Sequence, residues 1–182
     1  MVSEALRSPL PDREAVAATL DTIADPEIPA VSIVQLGMVG EVETGPGGIR
    51  VELLPTFVGC PALEIIRDTM MERLAVHGLP VEVVVSFTTP WTSDRISPEG
   101  RQALRRSGFA PPPHLAAAIG GGRALPVLDL ALAADDRPEE PTPCPYCGST
   151  RTTLVSPFGP TQCRSIHHCA DCRQPFEGFK AV

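Results

Sequence analysis

The sequence predicts an α+β protein: a compact α-β-β-α-β-α domain followed by a small cysteine-rich ribbon. Three observations carry that prediction. Apolar spacing alternates between helical and strand-like over the first 110 residues. Proline- and glycine-rich sequence then interrupts it over residues 111–143. Beyond that break, four of the six cysteines form two C-x-x-C hooks separated by 21 residues.

Residues 12–24 read as the first helix, with Asp12 as N-cap and Val16, Leu20 and Ile23 at helical spacing. Pro26 ends it by pushing Asp25 out of the helical region, so Asp25-Pro26-Glu27-Ile28-Pro29 is a rigid turn. Met38 to Glu43 and Ile49 to Leu54 are strands, joined by a hairpin loop, Thr44-Gly45-Pro46-Gly47-Gly48. Cys60 is expected to open the second helix, with Pro61 at the first helical position, where its missing N–H costs nothing. Leu63, Ile66, Met70 and Leu74 form that helix's apolar stripe, and Gly78 stops it. The β-branched run Val81 to Phe87 is expected to lie at the centre of the sheet. Ser97 caps a last helix that ends near Gly108.

Residues 1–110 are thus the first domain, 111–143 a linker and 144–182 the ribbon. Ala110-Pro111-Pro112-Pro113, Gly120-Gly121-Gly122 and the charged run from Asp135 to Pro141 have linker composition. Within them, Leu125 to Ala131 is apolar enough for one short strand.

Composition narrows the function classes. The net charge of −7 argues against a nucleic-acid-binding protein. From Cys144 onward, four Lys/Arg oppose two Asp/Glu, too small an excess to grip phosphates. No stretch approaches the length of a membrane span, and Met1 to Arg7 lacks the apolar core of a signal peptide. A cytoplasmic, reducing location is the expectation, where C-x-x-C pairs are metal ligands or redox centres rather than disulfides.

A tetrahedral zinc site needs four soft ligands from two short turns, and Cys144, Cys147, Cys169 and Cys172 supply them. Gly148 after the first hook lets backbone N–H groups point at the sulfurs, and Pro145 stiffens the turn. A thioredoxin-like redox pair competes, but the hooks are two and neither joins a strand to a helix. The expectation is a structural four-Cys zinc ribbon whose folding energy is largely metal binding. Cys163, His167 and His168 lie between the hooks. They are read as a small buried thiol and two surface histidines, while Phe158, Phe176 and Phe179 are read as the ribbon's core.

Cys60 stands apart from this cluster. At a helix N-terminus its thiolate would be favoured, as nucleophilic catalysis, persulfide transfer or iron binding each require; the alternative is an inert capping or filling residue. Asp25 and Glu27 are either hard ligands or anchors for a loop, or a solvated cap after the first helix. The lone Trp91 is either a lid over the core or a docking residue for a partner. No His stands at a telling spacing from Cys60, so no catalytic set is assigned.

Several of these segments together resemble a known family. Asp25-Pro26-Glu27-Ile28-Pro29, the run Ser32 to Val39, Pro55-Thr56-Phe57-Val58-Gly59-Cys60-Pro61 and Pro90-Trp91-Thr92-Ser93-Asp94 look like the iron–sulfur cluster assembly domain that includes SufT. With the ribbon segments around Cys144, Phe158 to Cys163 and Cys169 to Lys180, the chain is similar to the PaaD (PaaJ) family, encoded with the phenylacetyl-CoA 1,2-epoxidase. The resemblance implies an accessory role in maturing that monooxygenase, with its oxygenase and reductase subunits as partners. It implies transient iron or cluster handling by Cys60, with Asp25, Glu27, Thr56 and Trp91 on the same surface, beside structural zinc in the ribbon. The alternative is a non-catalytic structural subunit that docks through the ribbon, and a homodimer is left open.

Overall fold

The computed structural model describes residues 10–114 and 141–180, in two compact units. The expected strand Leu125 to Ala131, most of the linker and the Met1 to Arg7 segment lie outside the described residues. The first unit runs to Trp91 and takes in Arg95–Leu104; the second comprises Thr92–Asp94 and the chain from Arg105 onward.

In the first unit, helix α1 (Arg13–Asp21) begins at the expected cap, with Ala15 N donating to Asp12 Oδ1 at 2.7 Å. It stops at Asp21, short of residue 24, because Thr22 Oγ1 donates to Thr19 O and Ile23 N to Leu20 O, closing a tighter turn. Strands β1 (Val39–Gly45) and β2 (Gly48–Leu53) pair antiparallel. Gly45 pairs with Gly48, so the hairpin is tighter than expected and only Pro46-Gly47 lies in the loop. Helix α2 (Leu63–Leu74) buries Ile66, Met70 and Leu74, then tightens into a 3-10 turn closed by Gly78 at φ 68°.

Strand β3 (Val81–Val85) pairs parallel to β2, giving the order β1-β2-β3. The central strand is therefore β2, not the β-branched segment expected there. β3 can lie at the edge because α2 packs on it, so its Val-rich run reflects one covered face rather than two. Helix α1 packs on α2 and β1, and the buried Val16, Leu20, Ile66, Met70, Val51 and Leu53 fill the space between helices and sheet. Helix α3 (Pro98–Arg106) starts at the expected Ser97, whose Oγ accepts from Gly100 N at 3.0 Å.

The second unit is a four-stranded sheet: β4 (Phe109–Ala110), β5 (Thr152–Ser156), β6 (Arg164–Cys169) and β7 (Pro175–Phe179), in the order β4-β7-β6-β5. β5–β6–β7 is an antiparallel meander, while β4 joins β7 in parallel. The sequence division ends the first domain at residue 110, yet residues 109–110 supply a strand to the ribbon sheet, because their backbone finds its partner in β7. Ala110, Cys144, Cys169 and Phe176 make its core, with Cys172 against them, and Phe179 is also buried. Phe158, expected in that core, is 68% exposed on the turn after β5.

Candidate metal centre and thiol loop

The two hooks converge in the second unit. The four sulfurs of Cys144, Cys147, Cys169 and Cys172 lie within 4.8 Å of one another, with Cys144–Cys172 and Cys147–Cys169 each at 3.6 Å. A tetrahedron of Zn–S bonds of about 2.3 Å has edges of about 3.8 Å. The soft donor set, its spacing and the burial of Cys144 and Cys169 all fit such an ion.

Each hook is closed by its own backbone. Gly148 N donates to Cys144 O at 2.9 Å with Gly148 at φ 75°, and in the second hook Arg173 takes the corresponding left-handed place at φ 59°. The N–H groups of Cys172 and Asp171 donate to Cys169 and hold its thiol down at about 7. Cys172 accepts from Gln174 N–H, but burial and the neighbouring Cys144 and Cys169 thiols push it up to about 12. Cys147 accepts from Ser149 N–H and is nonetheless raised, through burial and the adjacent Cys169. Without a cation the cluster keeps one thiolate at the expense of its neighbours; a divalent ion removes that conflict.

The residues between the hooks do not join this group. Cys163 is half-buried with its Sγ 3.2 Å from Thr161 Oγ1, and His168 is exposed. His167, expected at the surface, is buried: it stacks on Phe176 with ring centroids 5.2 Å apart, and its Nε2 lies 2.8 Å from Ser165 Oγ. Sequence reasoning missed Arg164 and Arg173. Arg164 pairs with Glu177 at 2.9 Å and lies over the Phe109 ring, clasping β4, β6 and β7. Arg173 was legible as the residue following the second cysteine of a hook, where the first hook has glycine.

In the first unit, Cys60 does not open helix α2. The helix begins at Leu63 with Ala62 as N-cap, leaving Cys60 and Pro61 in the preceding turn. There Cys60 N donates to Phe57 O at 3.1 Å, Leu63 N reaches Cys60 O at 3.4 Å, and the residue is half-buried. Thr56, in the same loop, is buried. Asp25 is buried rather than solvated, and its Oδ1 is bonded within its own turn. That oxygen accepts from Glu27 N and Ile28 N, each at 2.9 Å, and shapes its own turn. Glu27 is half-buried. Trp91, a docking candidate on sequence, is 6% exposed and donates through Nε1 to Leu36 O at 2.8 Å. That is the lid geometry, and it leaves little ring for a partner.

Register brings these segments to one end of the sheet. Val39 pairs with Leu53 and Leu53 with Val85, so the start of β1 and the ends of β2 and β3 coincide there. From that end depart the segment leading back to Asp25 and Glu27, the loop bearing Thr56 and Cys60, and the loop bearing Trp91. An open hollow of ≈ 350 Å³, lined by Glu43, Arg50, Pro80 and Glu82 among others, lies at the opposite end. No helix of the described residues is long and apolar enough to cross a membrane.

Comparison with known proteins divides the chain along similar lines. Residues 13–87 match the family model of the iron–sulfur cluster assembly protein, and residues 131–180 match the PaaD zinc beta ribbon domain. The chain is 36% identical over 173 residues to an Escherichia coli (strain K12) protein carrying the name of a 1,2-phenylacetyl-CoA epoxidase subunit, covering 94% of each chain. It is 34% identical over 92 residues to an iron–sulfur cluster carrier protein of Mycobacterium bovis, covering 50% of this chain and 23% of that one. A crystal structure of a domain of unknown function (DUF59) from Bacillus anthracis is 28% identical, with a TM-score of 0.47, over 50% of this chain and 89% of that chain.

Proposed function

The chain belongs to the PaaD family of phenylacetyl-CoA epoxidase subunits, and from that premise we propose that it is an accessory maturation factor. Its first unit assists insertion of iron or an iron–sulfur cluster into the epoxidase, and Cys60 is the transient ligand. Its second unit is a ribbon held by structural Zn²⁺ on Cys144, Cys147, Cys169 and Cys172.

The observation that carries this reading is the division of the thiols. Four sulfurs are gathered within 4.8 Å, whereas Cys60 stands on a separate loop at one end of another sheet, in the segment that matches the assembly family. In this reading Thr56 and the Asp25–Glu27 turn shape the surface around Cys60, and Trp91 secures the adjoining 33–38 segment from inside. Iron or cluster is cargo here, accepted by the Cys60 sulfur and passed to the recipient's own ligands.

The test is the iron and acid-labile sulfide content of epoxidase subunits matured with wild-type or Cys60→Ala protein. The variant is expected to keep its fold and one zinc per chain while the recipient loses iron or cluster. A fully metallated, active epoxidase from the variant favours the structural-subunit reading instead.

A further inference from the structure

The two hooks are joined by more than their sulfurs. Ser149 stands two residues after Cys147, and Asp171 two residues after Cys169. Each gives its backbone N–H to that cysteine, Ser149 to Cys147 and Asp171 to Cys169. Their side chains then meet, with Ser149 Oγ donating to Asp171 Oδ2. One run of hydrogen bonds therefore leads from the Cys147 sulfur through Ser149 and Asp171 to the Cys169 sulfur. Those two sulfurs lie 3.6 Å apart, which closes the run into a ring.

Neighbouring bonds fix both partners. Arg151 N donates to Ser149 Oγ at 3.0 Å, which aims the hydroxyl proton at the carboxylate. Cys144 N donates to Ser149 O at 2.9 Å, so Ser149 is bonded to both cysteines of its own hook. On the other side, Ala170 N donates to Arg151 O at 2.8 Å, and Arg151 Nη1 lies 2.8 Å from Asp171 Oδ1. Four thiolates around a divalent ion leave a net negative charge, and a carboxylate inside a hook adds to it. Charge alone therefore counts against Asp171 at this place, and what it offers the site is its bonds. Arg151 and Asp171 are 73% and 41% exposed, and an exposed ion pair contributes little. The weight falls on the bond to Ser149.

We propose that Ser149 and Asp171 are positioning residues for the ribbon's metal: their side-chain bond locks the two hooks together and keeps an N–H on each of two thiolates. This rests on the zinc reading of the four-cysteine cluster given above. The lock slows metal loss, because one hook cannot swing away from the ion without breaking the ring.

The experiment uses the full-length chain loaded with Zn²⁺, and a parallel sample loaded with Co²⁺. It compares wild-type, Ser149→Ala, Ser149→Thr, Asp171→Ala, the Ser149→Ala/Asp171→Ala double variant and Arg151→Gln. Transfer of zinc to a chromophoric chelator should run about tenfold faster or more in Ser149→Ala and in Asp171→Ala. The double variant should be no faster than either single one, since both remove the same bond. Ser149→Thr keeps the hydroxyl and should match wild-type, and Arg151→Gln should stay within about twofold. A thiolate that loses its N–H donor holds its electrons less tightly. The sulfur-to-cobalt charge-transfer band should therefore move to longer wavelength in both alanine variants, which a loss of stability alone would not produce. Ser149→Ala leaves the Arg151–Asp171 pair in place and keeps the test open if Asp171→Ala misfolds. Wild-type rates and bands in Ser149→Ala overturn the inference, as do effects that add in the double variant. Arg151→Gln releasing zinc as fast as Asp171→Ala assigns the lock to the ion pair and overturns it too. Wild-type protein that takes up no zinc fails the zinc reading itself, and the proposal with it.

Discussion

At the scale of single residues, backbone geometry is the strictest constraint. Gly37 sits at φ +70°, and a Cβ there would lie 2.4 Å from Arg95 O and 2.5 Å from Arg95 Cβ. Those are backbone-fixed atoms, and Arg95 is held in place because its Nε donates to Gly37 O at 3.0 Å and its guanidinium reaches Val39 O at 3.3 Å. Gly37→Ala is therefore expected to destabilise the first unit by about 2–4 kcal/mol, read as a lower urea midpoint. The thiols set a second expectation. Zinc binds thiolates and must displace every thiol proton still present, so its affinity rises with pH. Cys172, pushed up to about 12, and the raised Cys147 keep their protons at neutral pH. Cys169, held at about 7, joins them only as the pH falls below that value. A plot of log zinc affinity against pH should then steepen by about one proton below pH 7, measurable by competition with a chromophoric chelator.

At the scale of elements, local chemistry was legible and long-range pairing was not. Asp12 and Ser97 announce helix starts through a contact only three residues long, and both caps form as expected. The C-x-x-C spacing works in the same way, since each turn alone orients two sulfurs. The turn at Cys60 misled because a proline fits a helix start and a pre-helical turn equally well. The Val-rich run of β3 looked central because apolar content does not say whether a helix or a strand covers it. Two-residue β4 carries no pattern of its own and becomes a strand only through β7. Of the candidate site, the cluster of Cys144, Cys147, Cys169 and Cys172 was readable in full. The burial of Trp91 and the self-directed bonds of Asp25 depend on segments distant in sequence or on a turn's exact path. One expectation belongs to the ribbon's elements together. Chelation of the metal should release hydrogen-exchange protection across β5, β6 and β7 and at Phe109 and Ala110, while β1–β3 keep theirs. Retained protection at residues 164–179 after complete zinc removal would show that the apolar core of Phe176 and its neighbours suffices.

At the scale of the whole molecule, the two units have different sources of stability. The first buries a conventional core between helices and a three-stranded sheet. The second gathers most of its core around cysteines. Under the proposed reading a thiol that hands on iron gains from this arrangement, since four thiols already holding zinc would not compete for the cargo. The parallel pairing of Phe109–Ala110 with Glu177–Gly178 also orders events in time. On the ribosome β4 emerges roughly seventy residues before β7, a wait of about 3–14 s at ordinary translation speeds. The first unit's segments are all synthesised before that wait begins. Sheet closure in the ribbon is then a late step of biogenesis, and newly made protein should acquire its assembly fold before its zinc-dependent one.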